Sequence, residues 1–228
     1  MALVGLDKMS LLDYEDKISC VLFYKACNFR CPFCHNGLTV LQAEDEFLFA
    51  AVLDYLKGRV GLLDAVVFTG GEPTLEPHLK EHIKAVKELG FLVKLDSNGT
   101  NPDIIKDLID NHLIDYIAMD IKNSEAKYPL TAGTDHIDMD KIKKTINIIM
   151  SSGISYEFRT TLVEEFHQLD DMEGIGQLIK GSKYLYLQKF VERDGCIQKG
   201  LHEVKEETAL KFKKVLEQYI DNVELRGY

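Results

Sequence analysis

Three cysteines, Cys27, Cys31 and Cys34, fall close together in the segment Lys25-Ala-Cys-Asn-Phe-Arg-Cys-Pro-Phe-Cys-His-Asn36. At Cys-x3-Cys-x2-Cys the thiolates are spaced for a metal rather than a disulfide framework, and the chain's five cysteines cannot all pair. A four-iron cluster normally takes four thiolates, so a site with three exposes one iron to an external ligand, and an open iron can do chemistry. Two other readings use the same residues. His35 would complete a tetrahedral zinc site, although its adjacency to Cys34 makes simultaneous ligation awkward and no second Cys pair closes a conventional knuckle. Cys31 and Cys34 alone would form a redox pair, which leaves Cys27 without a role.

Further chemistry-bearing residues follow short apolar runs. In Thr69-Gly-Gly-Glu-Pro-Thr74, Gly70 and Gly71 let backbone approach a ligand closely and Glu72 offers a carboxylate, although the segment alone also reads as a turn. Asn98-Gly99 in Leu95-Asp-Ser-Asn-Gly-Thr100 is a strong hairpin signal, but Asn101-Pro102 starts a helix directly afterwards. In Ala118-Met-Asp-Ile-Lys122, Asp120 and Lys122 share one strand face, where a plain salt link is the simplest account. Arg159, in Glu157-Phe-Arg-Thr-Thr161, reads equally as a strand-end charge.

The elements that must position these residues alternate. Strands are predicted at Ser19–Lys25, Ala65–Thr69, Leu92–Asp96, Tyr116–Asp120, Tyr156–Leu162 and Tyr184–Phe190, each short and apolar on both faces, as in a mainly parallel sheet covered by helices. Between them, Pro102–His112 carries Ile104, Ile105, Leu108 and Ile109 on one stripe, with Asn101 as N-cap and Pro102 at the first helical position. Ile142, Ile146 and Ile149 line a helix over Met139–Ser152 that Gly153 closes, and Leu79, Ile83 and Val86 line another that stops at Gly90. A last helix, about Glu206–Ile220, shows Leu210, Val215, Leu216 and Tyr219 at helical spacing and is expected to pack outside. Six such units suit either a doubly wound sheet or an incomplete barrel, and both place active sites at strand ends.

At 228 residues, with 46% hydrophobic and 28% charged, the chain supports one domain. Its core is expected at about 18–190, with a C-terminal helical extension at about 201–220. A net charge of -10 without a basic block argues against a nucleic-acid partner. No apolar run approaches the ~20 residues of a membrane span, so a cytoplasmic location is expected.

The cysteine spacing, with Phe33 just before the last thiol and the loop following the first strand, resembles the cluster-binding loop of the radical S-adenosylmethionine superfamily. That resemblance implies an incomplete (β/α)6 barrel and a 4Fe-4S cluster on Cys27, Cys31 and Cys34. It implies S-adenosylmethionine on the open iron, cleaved by one electron to methionine and a 5′-deoxyadenosyl radical that abstracts hydrogen. The family's Gly-Gly-Glu-Pro segment holds the methionine amino group, so Gly70, Gly71 and Glu72 are expected to contact the cofactor. Asp96-Ser-Asn-Gly and Met119-Asp-Ile-Lys are similar to strand ends in the activating enzymes of glycyl-radical enzymes. By that similarity Asp96, Ser97 and Asp120 hold the sugar or a monovalent cation, Asn98 belongs to the same cofactor-binding segment, Lys122 takes the cofactor carboxylate and Arg159 faces the site. Gln188 joins them from the sixth strand.

Asp115-Tyr-Ile-Ala-Met-Asp-Ile-Lys122 and Tyr156-Glu-Phe-Arg-Thr-Thr161 most resemble the activators of anaerobic ribonucleoside-triphosphate reductases, in a match running from the cysteine loop through Phe190. This implies such a reductase as partner and a low-potential electron donor such as flavodoxin or ferredoxin. A barrel with few insertions leaves an open mouth that suits a macromolecular substrate. Cys20 reads as a buried core residue and Cys196 as an exposed loop thiol, and two thiols cannot hold a further four-iron cluster. The rival expectations are activation of another glycyl-radical enzyme, a small-metabolite reaction like that of the carboxy-deazaguanine synthases, and a non-catalytic metal-binding or electron-transfer module.

Overall fold

The architecture is that of a computed structural model, which describes residues 3–37 and 48–228. Its strands, in chain order, are β1 (Leu3–Ser10), β2 (Ser19–Tyr24), β3 (Ala65–Gly70), β4 (Leu92–Ser97), β5 (Tyr116–Asp120), β6 (Ser155–Leu162), β7 (Tyr184–Lys189) and β8 (Asn222–Arg226). They form one sheet in which chain order is also spatial order. β1 is antiparallel to β2, and every later pair is parallel. The crossovers contain α1 (Phe49–Lys57), α2 (Leu79–Glu88), α3 (Pro102–Asp110), α4 (Tyr128–Ala132), α5 (Met139–Ser151), α6 (Leu169–Leu178) and α7 (Glu206–Leu216). This is a partial α/β barrel, as expected.

Alternation along the strands divides the interior into two cores. Leu22, Val66, Phe68, Leu95, Ile117, Phe158 and Leu187 point outward and join Ile83, Ile105, Ile142 and Met172 of the helices in the main core. Val21, Ala65 and Val67 point inward and pack with Tyr14, Phe23, Leu92 and Tyr116 in a small cluster low in the lumen. Tyr14 belongs to the β1–β2 connection, which folds under the sheet: its ring lies 5.4 Å from Tyr116, and Lys94 Nζ donates to Asp13 O at 2.7 Å. Higher up the same inward positions are polar, and there the site forms.

The six predicted strands are β2 to β7. β1 and β8 are additions, and β8 makes α7 part of a sixth crossover rather than an appendage. Helix faces are shifted at the margins. Ile105, Leu108 and Ile109 are buried on α3 while Ile104 is exposed, and on α7 the buried face is Ala209, Phe212 and Leu216, with Leu210 exposed. Asn101 precedes α3 without a side-chain cap; its Nδ2 donates to Thr74 Oγ1 at 2.8 Å instead, tying the start of α3 to the turn after β3. Gly90 and Gly153 adopt left-handed φ of 90° and 79°, ending their helices as the sequence requires.

Candidate active site

The cysteine loop follows β2 and is clamped on two sides. Arg30 N donates to Ala132 O at 2.9 Å, and Gln198 N donates to Pro32 O at 2.8 Å. Both contacts depend on glycine. A Cβ on Gly133 would lie 2.0 Å from Arg30 O, and one on Gly195 would lie 2.1 Å from His35 O. Within the loop Cys34 N donates to Cys31 O at 2.9 Å, and Phe29 N donates to Cys27 Sγ at 3.3 Å.

Cys27, Cys31 and Cys34 line one cavity of about 370 Å³ at the strand C-termini. With them it is lined by Gly70, Gly71, Asp96, Ser97, Asn98, Asp120, Lys122, Arg159 and Gln188. Burial pushes the Cys27 thiol up to about 12 and Cys31 to about 11, so metal loading must displace protons from neutral thiols. Among the described residues no three His, Cys, Asp or Glu side chains close on a single ion. The three thiols border this open space, where a 4Fe-4S cluster would take one thiolate on each of three irons.

Glu72 is the sequence-predicted residue absent from the cavity wall. Its carboxylate is fully buried and accepts Thr74 N at 3.1 Å, Thr74 Oγ1 at 2.5 Å, Ser97 Oγ at 2.9 Å and Asn98 N at 2.6 Å. Burial raises its pKa while these donors pull it down. Glu72 therefore fixes two strand ends, and the part of its motif that lines the cavity is Gly70 and Gly71. Gly70 has φ of 110°, and a Cβ on Gly71 would sit 2.1 Å from Ala26 O, so both positions exclude side chains.

Across the cavity a charged network joins β4, β5 and β6. Arg159 Nε donates to Asp120 Oδ1 at 3.0 Å and Arg159 Nη1 to Asp96 Oδ2 at 3.2 Å, while Lys122 Nζ donates to the other Asp120 oxygen at 3.0 Å. Burial pushes the Asp120 carboxyl up, but the Lys122 and Arg159 charges outweigh it and hold the group at about 2. Beneath, Glu157 takes Lys94 at 3.4 Å and Arg226 of β8 at 3.1 Å. Asp96 Oδ1 is buried with no hydrogen-bond partner, and Lys94 Nζ stands 4.0 Å away. Asp96 lines the cavity, and an orphaned buried acceptor beside it is one that a bound cation or hydroxyl would satisfy.

Behind Lys122 the chain is held by buried polar groups. His167 Nε2 faces Lys122 O at 3.0 Å and its Nδ1 accepts Val163 N at 3.1 Å, while Tyr128 OH donates to Asp120 O at 3.3 Å. Burial lowers the His167 pKa, consistent with a neutral ring that donates through Nε2.

Sequence reasoning missed Thr69 and Thr161, which also line the cavity. Period two from Val67 and Arg159 would have found both. It also misplaced Cys196, which is buried with Sγ donating to Phe33 O at 3.8 Å, because the loop carrying it folds onto the cysteine loop.

A family model described as Radical SAM superfamily matches residues 21–172. Two Methanocaldococcus jannaschii proteins provisionally named glycyl-radical enzyme activating enzymes are similar to this chain. One is 35% identical over 97% of this chain and 94% of its own length; the other is 25% identical over 94% and 82%. Among solved structures, Streptococcus suis SuiB bound to precursor peptide SuiA superposes with a TM-score of 0.70 over 91% of this chain and 48% of that one, at 13% identity, a likeness of fold.

Proposed function

We propose, on the premise that this chain belongs to the radical SAM superfamily, that it is the activating enzyme of a glycyl-radical enzyme, with an anaerobic ribonucleoside-triphosphate reductase as its partner. The observation that carries the reading is the convergence of three thiols, a glycine backbone and the Asp96–Arg159–Asp120–Lys122 network on one cavity.

When bound, a reduced 4Fe-4S cluster would supply the electron for reductive cleavage of S-adenosylmethionine, the chemistry by which a hydrogen atom would be taken from a glycine of the partner. The chain's own residues bind and orient. Cys27, Cys31 and Cys34 would hold three irons. Gly70 and Gly71 present backbone to the methionine amino group. Lys122, charged because Asp120 offsets its burial, balances the methionine carboxylate. Asp96 and Ser97 serve the ribose or a monovalent cation, while Arg159 bridges the two aspartates. No side-chain base is required, because a hydrogen atom rather than a proton is removed. Positioning and exclusion of water are what the protein contributes. Flavodoxin or ferredoxin would deliver the electron.

The test is anaerobic reconstitution and reduction, followed by S-adenosylmethionine with and without the reductase. Formation of 5′-deoxyadenosine together with a glycyl-radical spin signal on the reductase supports the reading. Cleavage without that signal leaves the chemistry and assigns another substrate; a loaded, reduced cluster that cleaves nothing overturns it.

A further inference from the structure

Asn28, Asn98 and Thr100 close a hydrogen-bonded ring beside Cys27. Asn28 Nδ2 donates to Thr100 Oγ1 at 3.0 Å, that hydroxyl donates to Asn98 Oδ1 at 2.7 Å, and Asn98 Nδ2 donates to Asn28 Oδ1 at 2.7 Å. Each side of the ring pairs one donor with one acceptor. The Asn98 amide has one permitted orientation, because its Oδ1 also accepts the Thr100 backbone N–H at 3.1 Å, which an NH2 group cannot do. Its NH2 group therefore faces Asn28 and Cys27. One hydrogen is used by Asn28, and Cys27 Sγ lies 4.0 Å from the same nitrogen. The residue is buried and its backbone N–H is tied to Glu72, so it cannot swing away.

We propose that Asn98 tunes the reduction potential of the iron-sulfur cluster, donating to the Cys27 sulfur from an orientation locked by Asn28 and Thr100. The proposal rests on the reading that Cys27 ligates a cluster. Reduction adds negative charge to the cluster and its sulfurs, and a hydrogen bond to a ligating sulfur stabilises that charge and eases reduction. Phe29 N–H supplies a donor that no side-chain substitution removes. Asn98 is the donor that the sequence can vary. The ring matters because an amide free to flip would present its oxygen to the sulfur and reverse the effect.

The test is a spin-resonance redox titration of the reconstituted protein without S-adenosylmethionine, comparing wild type, Asn98→Ala and Thr100→Val, with iron content measured in parallel. Asn98→Ala is expected to lower the midpoint, reducing the ratio of reduced to oxidised cluster at fixed potential about three- to tenfold, tenfold being about 59 mV for one electron. Thr100→Val keeps the backbone donor to Asn98 Oδ1 and is expected to shift the midpoint in the same direction by less. A merely structural role would change iron content or stability and leave the midpoint in place. Unchanged midpoints in loaded variants overturn the proposal alone. Should Asn98→Ala fail to load, Thr100→Val decides by the same criterion. A wild type that loads no cluster overturns the cofactor reading and this proposal with it.

Discussion

The Glu72 carboxylate bridges two strand ends: from the turn after β3 it accepts the Asn98 amide hydrogen beyond β4 at 2.6 Å. It also takes both donors of Thr74 and the Ser97 hydroxyl. Glu72→Ala strands four donors in a buried site and is expected to cost about 3 kcal/mol, since each unsatisfied buried group costs roughly 1–3 kcal/mol and relaxation recovers part. Urea unfolding measures this. S-adenosylmethionine affinity should fall as well, although the carboxylate does not face the ligand.

Gly71→Ala probes the close approach directly. The new methyl would meet Ala26 O at 2.1 Å, so the cysteine loop must move. Overpacking of this kind costs about 1–3 kcal/mol. The expected outcome is reduced iron loading and at least about tenfold weaker S-adenosylmethionine binding by equilibrium dialysis, a factor equivalent to about 1.4 kcal/mol. Wild-type binding in this variant would mean that the loop is compliant.

Asp120 carries an acid-labile share of stability. Its folded carboxyl titrates near 2 against an ordinary 3.8, so the contribution is complete above about pH 4 and disappears as pH falls towards 2. Asp120→Asn should therefore be less stable than wild type at neutral pH, with the gap closing between about pH 4 and 2. Urea midpoints of both proteins across that range check the sign.

Iron content separates the thiols. Cys27→Ser, Cys31→Ser and Cys34→Ser should each abolish stable loading, whereas Cys20→Ala and Cys196→Ala should retain about four irons per chain after anaerobic reconstitution. Loss of iron in Cys196→Ala would bring that thiol, buried against Phe33 O, into the ligand set.

Much of this site was legible because parallel β/α folds place strand ends together, and the polar motifs announce those ends. Asp96, Asp120, Arg159 and Gln188 fall on one wall for that reason. The role of Glu72 was not legible: whether a carboxylate faces the ligand or its own backbone depends on donors from Thr74, Ser97 and Asn98, which converge only in three dimensions. β8 escaped because Asn222-Val-Glu-Leu-Arg226 is short and polar at alternate positions, as an outermost strand can be, while the predicted strands were sought as apolar runs. Asn101 was misread because a distant acceptor, Thr74 Oγ1, outcompeted the local cap.

The clamps on the cysteine loop also bear on how the protein matures. The thiols emerge early from the ribosome, but their scaffold comes late: Ala132 holds one side of the loop, and Gln198 and Gly195 hold the other. Iron delivered to the nascent chain would meet three cysteines on an unsupported segment. Cluster insertion is therefore expected to follow synthesis past Gln198, and a chain truncated after β7 is expected to keep most of the sheet yet release its iron readily.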